Sequence, residues 1–174
     1  MRRPKRIWWA RPRKLCALER PGGGGRSHRP ERRAEEIDYL LERGVRLVIS
    51  TMTTRHNLAD YDAAGLDWHH VPVASCAAGA DALEELLPLL RRALRGRGAV
   101  AVHGNRRTDF VAALCAAHLH EARGVDPVDG LAAAAAAGLE VSADAAALLG
   151  VDYDAVQPRS RIAASTSSGR SVTT

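Results

Sequence analysis

The sequence predicts an α/β domain: a central, mostly parallel sheet flanked by helices. Three observations carry this expectation. Short β-branched or wholly apolar runs, above all Val45-Arg-Leu-Val-Ile-Ser50 and Ala99-Val-Ala-Val-His103, alternate with longer segments of helical periodicity. The 174 residues are 46% hydrophobic and 26% charged, which suits one domain with its own core. No apolar run approaches the ~18–20 residues of a membrane span, so the expected setting is the cytoplasm and the expected state a monomer.

Taken in order, residues 1–6 read as a disordered basic start, and residues 7–157 as the domain proper. Ile7-Trp-Trp-Ala10 and Leu15-Cys-Ala-Leu18 are apolar patches that should pack on the body. Pro21 and four glycines open a flexible loop over 21–30. Residues 31–43 fit a helix with Ala34, Ile37, Tyr39, Leu40 and Leu41 on or near one stripe, stopped by Gly44. A strand over 45–50, a short helix over 57–64 and a strand over 66–73 follow, and then a turn-like stretch to Gly79. Residues 81–94 repeat leucine at helical spacing, with a kink or break expected at Pro88.

The run 99–103 is apolar throughout, as in a strand buried on both faces. A tight loop over 104–107 leads to a helix over 108–123, with Thr108 or Asn105 as cap and Gly124 as stop. Asp126-Pro127 starts another helix ending near Gly138, and Ser142 caps a last one through Leu149. The Ser/Thr/Arg-rich stretch 158–174 has little to bury and reads as disordered.

The net charge of +5 divides unevenly: residues 1–33 carry +10, residues 34–157 carry −8 and residues 158–174 carry +3. An acidic body with basic ends allows the N-terminal arm to contact nucleic acid or an acidic partner. Arg outnumbers Lys 23 to 2 and Ala reaches 32, a bias of GC-rich, bacterial-type coding. Three cysteines exclude a complete disulfide framework. Cys115 should be a core residue on an apolar helix, and Cys16 should be buried with Trp8 or Trp9. His69 and His70 point to opposite faces of a strand, and His118 and His120 are badly spaced on a helix. No metal site and no cofactor are expected.

The informative segment is Val100-Ala-Val-His-Gly-Asn-Arg-Arg-Thr-Asp109. A buried strand enters a loop with one glycine and two arginines and opens a helix. Unpaired N–H groups at a helix N-terminus favour an anion, and an Arg can clamp two of its oxygens. Gly104, Asn105, Arg106, Arg107 and Thr108 are therefore the candidate residues of a phosphate or carboxylate site. A capped helix start with solvated arginines reads the same residues equally well.

The order of elements resembles the atypical dual-specificity phosphatases of the cysteine-dependent protein tyrosine phosphatase superfamily. The family's opening W-V-x-P-G-R-L-A-G-x-x-x-P resembles Trp9-Ala-Arg-Pro-Arg-Lys-Leu-Cys-Ala-Leu-Glu-Arg-Pro21, although Arg13 replaces the glycine. Its G-V-x-x-V-V/I-S-L strand is similar to Gly44-Val-Arg-Leu-Val-Ile-Ser-Thr51. Its second strand is similar to Ala64-Gly-Leu66 and His70-Val-Pro-Val73. The family loop H-C-x-x-G-x-x-R-S/T-G resembles His103-Gly-Asn-Arg-Arg-Thr-Asp109 once C-x-x is deleted.

That resemblance implies a thiolate nucleophile, an Arg clamp and an Asp general acid. Here Arg107 and Thr108 match, Asp109 replaces the last glycine, and no residue matches the nucleophile. Ser75 stands nearest the general-acid position. Cys76 begins no displaced phosphate loop, because Ala82 stands where its Arg would be. The expected function is therefore a pseudophosphatase that keeps weak phosphate or phosphopeptide binding. Two alternatives stay open: a phosphohydrolase using water activated by Asp109 or His103, and a protein acting through its basic arm.

Overall fold

A computed structural model describes residues 1–23 and 29–159. The strands are β1 (Ile7–Arg11), β2 (Leu15–Glu19), β3 (Val45–Ser50), β4 (Asp67–His70) and β5 (Ala99–Gly104). The helices are α1 (Pro30–Glu42), α2 (Leu58–Ala63), α3 (Ala80–Arg95), α4 (Asp109–Arg123), α5 (Pro127–Ala136) and α6 (Ala143–Leu148), with a further helix α7 over 153–159. The sheet order is β1-β2-β5-β3-β4. Only β1 runs antiparallel to its neighbour; β2, β5, β3 and β4 are parallel. The α/β reading, with a mostly parallel sheet between helices, is the architecture observed.

Alternation along the strands sorts side chains into two cores. Leu15, Ala17, Val100 and Val102 face α3, α4, α5 and α6. Cys16, Leu18, Ala99 and Ala101 face the opposite way, with Ile37 and Leu40 of α1 and Leu58 and Tyr61 of α2. β5 lies at the centre and all six of its residues are buried, which explains its unbroken apolar run. Cys16 and Cys115 are both fully buried; Cys16 belongs to the cluster against which Trp9 packs, while Trp8 joins the other core.

The structure corrects several expectations. The two N-terminal apolar patches pair with each other as a hairpin, and β2 then enters the sheet. The expected break at Pro88 does not occur: α3 runs unbroken through it. Pro88 is exposed, so the carbonyl it leaves unbonded can turn to water. β4 spans four residues, shorter than the 66–73 run, and Pro72 removes a ladder donor just beyond it. Thr108, not Asn105, is the α4 N-cap residue, and its side chain makes no capping hydrogen bond.

Basic residues of the start lie beside acids: Arg2 N–H donates to Glu35 O, Arg6 lies 3.9 Å from Glu19, and Pro4 is buried. Of the glycine-rich loop, Gly22 N–H donates to the buried Glu36 carboxylate at 2.8 Å, and 24–28 lie outside the described residues. Of the C-terminal stretch, Arg159 pairs with Asp129 at 2.9 Å, and 160–174 lie outside the described residues. Among the described residues no helix is long and apolar enough to cross a membrane, and no three potential metal ligands converge.

Candidate phosphate-loop site

The central strand delivers His103 and Gly104 to the carboxyl end of the sheet and is held on both sides there. Thr51 N–H and Thr51 Oγ–H both donate to His103 O, at 3.0 and 3.1 Å. Arg20 N–H donates to Gly104 O at 3.0 Å. The chain turns back so sharply that a Cβ on Gly104 would lie 2.5 Å from Arg107 O. Glycine is required at this position by close approach rather than by its φ. The Arg107 carbonyl, an acceptor, is thus folded in toward the strand end.

Asn105, Arg106 and Arg107 form an exposed three-residue bridge to Thr108. Thr108 is fully buried, and its Oγ1 accepts from Glu140 N–H at 2.8 Å. Asp109 opens α4 and is 6% exposed. Its carboxylate accepts from Phe110 N–H at 3.0 Å and from Ser142 Oγ–H at 2.8 Å. Gly79, before α3, lies against the Phe110 ring, where a Cβ would come within 2.6 Å. These contacts bring the starts of α3 and α4 together.

A cavity of about 330 Å³ opens among these pieces. One wall is Gly104 to Arg107 with Asp109 and Phe110, a second is Thr51, Met52 and Thr53 after β3, and a third is Val73 to Cys76 after β4. Four of the five sequence-derived candidates, Gly104, Asn105, Arg106 and Arg107, therefore border one concave space. The fifth, Thr108, lies beneath it with its oxygen turned to Glu140. The reading of the residues alone missed Thr51, Thr53 and the contact of Asp109 with Ser142. Only the sheet's topology brings those segments together.

Two groups that could supply chemistry are restrained by their surroundings. Cys76 borders the cavity, but burial, with Asp109 and Asp144 nearby, pushes its thiol up to about 12. The thiolate fraction near neutral pH is negligible. His103 faces the other side of the sheet, where Tyr61 lies 2.9 Å from its Nε2. Gly104 O can only accept, so Nδ1 carries the proton at 3.2 Å and Nε2 accepts from Tyr61 O–H. Burial lowers the His103 pKa to about 4, so the ring is neutral and distant from the cavity's chemistry. Ser75 borders the cavity and its Oγ accepts from Ala78 N–H at 3.3 Å, a local turn contact.

The fold as a whole has counterparts among solved structures. Human DUSP28 superposes with a TM-score of 0.59 at 20% identity, covering 91% of this chain and 95% of that one. This is the protein tyrosine phosphatase fold. P. aeruginosa TpbA in complex with pTyr, a phosphatase-fold neighbour, gives 0.62 at 19% identity over 85% and 86% of the two chains. PTPMT1 in complex with PI(5)P gives 0.62 at 14% identity over 91% and 99%. No protein-family model matches the chain, and no curated protein sequence matches it. At these identities the likeness establishes a dual-specificity-sized phosphatase fold, and the reaction has to be argued from the residues.

Proposed function

We propose that this phosphatase-fold domain is a pseudophosphatase: it holds a phosphate-bearing ligand at the 104–108 loop and does not hydrolyse it. The observation that carries the reading is the direct passage of the buried strand from His103 into Gly104, with the Arg107 carbonyl closed against it. No side chain at that strand end can attack phosphorus. The thiol across the cavity, Cys76, is protonated, and Ser75 lacks the acidity to protonate a leaving oxygen. Arg106 and Arg107 remain exposed at the cavity rim, suited to a phosphomonoester or a phosphopeptide. A shortened loop offers fewer N–H donors than an intact one, so the expected affinity is in the millimolar range, about −4 kcal/mol.

The test pairs turnover with binding. Purified protein should release no phosphate from p-nitrophenyl phosphate or a phosphotyrosine peptide above a no-enzyme control. Titration with inorganic phosphate or vanadate should shift loop amide resonances saturably, and Arg107→Ala should weaken that binding about tenfold or more. Turnover abolished by Arg107→Ala would instead establish an active phosphohydrolase, and Asp109 is then the group to test as its base. Absence of any saturable shift would end the phosphate reading.

A further inference from the structure

The cavity carries opposite charges that do not meet. Arg106 and Arg107 are exposed at its rim, and neither takes part in an ion pair among the described residues. Asp109 forms part of its buried wall. Each Asp109 carboxylate oxygen accepts one neutral hydrogen bond, from Phe110 N–H and Ser142 Oγ–H, and no cation pairs with it among the described residues. A carboxylate in the wall of a cavity attracts a cation and repels an anion that enters it.

A bare phosphate entering this space is drawn by the two guanidinium groups and repelled by Asp109. A ligand with an ammonium group beside its phosphate removes that conflict. It gives the guanidinium groups an anion and the carboxylate a cation. Thr51, Thr53 and Ser75 add neutral hydroxyl groups on the remaining walls. We infer that the cavity takes a phospho-amine, with its phosphate on Arg106 and Arg107 and its ammonium on Asp109. This rests on the proposed reading of the loop as a phosphate site and names the ligand class for it.

O-phosphoethanolamine and ethyl phosphate share a two-carbon phosphomonoester skeleton and differ in the ammonium. Titrated separately into the full-length protein and followed by amide resonances, the former should bind about tenfold tighter. Asp109→Asn keeps the acceptor for Phe110 N–H, and its amide can donate to Ser142; it should erase the preference while tightening ethyl phosphate. The comparison on unmodified protein stands even if that variant fails to fold. Arg107→Ala should weaken both ligands. Glycerophosphoethanolamine tells two carriers of this chemistry apart: tighter binding than the monoester assigns a lipid headgroup, weaker binding a free phosphomonoester. Equal binding of ethyl phosphate and O-phosphoethanolamine overturns the ammonium contact and leaves the phosphate reading standing. Absence of binding by either overturns both.

Discussion

His103 shows how much one side chain's surroundings decide. In the sequence it stood as a candidate activator of water, because it closes a buried strand beside a basic loop. Strand alternation instead sends it with Ala99 and Ala101 to the α1–α2 side, where Tyr61 takes its ring. Its pKa near 4 lies below the ordinary 6.5, so the folded state favours the neutral ring. Between pH 6.5 and 4 the unfolded chain therefore binds more protons, and stability is lost as pH falls through that window. The loss should reach about 3 kcal/mol at pH 4, read from urea midpoints, and His103→Gln should flatten that part of the profile. An unchanged acid limb in the variant would assign the loss elsewhere. The thiols divide in the same way: Cys115 reads as core from its apolar helix alone. Whether Cys76 meets the arginines depends on a β4–α3 connection that no local pattern specifies.

At the scale of elements, strands and helices were legible wherever burial imposed one period. β5 is buried at every residue because it lies at the sheet's centre, and α3 repeats leucine because one face meets the core. The hairpin was harder to read: β1 and β2 are five residues each, and β1 holds an irregular register against its partner. Arg13, at a positive φ of 57°, turns the chain between them, where sequence leads one to expect glycine. Pro88 does not end α3, since an exposed carbonyl on a continuous helix needs no partner within the protein. The loop after β5 provides the element-scale prediction. Gly104→Ala must displace the Arg107 carbonyl, so it should cost about 1–3 kcal/mol in denaturant unfolding and weaken phosphate binding. Gly65→Ala, with nothing within 4 Å of its Cβ, separates backbone strain at a φ of 71° from this steric effect.

For the whole molecule, the mostly parallel sheet flanked by helices is the architecture the sequence led one to expect, while the loop sequence departs from the family motif at a few residues. The departure invites repair. Insertion of Cys-Xaa-Xaa between His103 and Gly104, combined with Ser75→Asp, should give measurable release of p-nitrophenol from p-nitrophenyl phosphate. The insertion alone should be slower by roughly 10²-fold, and Ser75→Asp alone should be inert. A folded double variant without turnover would show that the cavity walls, as well as the loop, lack what the proposed repair requires. The sequence suggested a shortened loop after His103 because the strand–loop–helix order can be read along the chain. It disclosed neither the Asp109–Ser142 contact nor the cavity's third wall, because those residues meet only after four elements have packed.

The central placement of β5 also sets the order of assembly during synthesis. Leu15, Cys16, Ala17 and Leu18 leave the ribosome early, yet their parallel partners Val100 to His103 are made much later. β3 and β4 can pair before then, but they cannot join the first hairpin until β5 slides between them. Closure of the sheet therefore has to wait for contacts between residues far apart in the chain, a topology that favours slow folding.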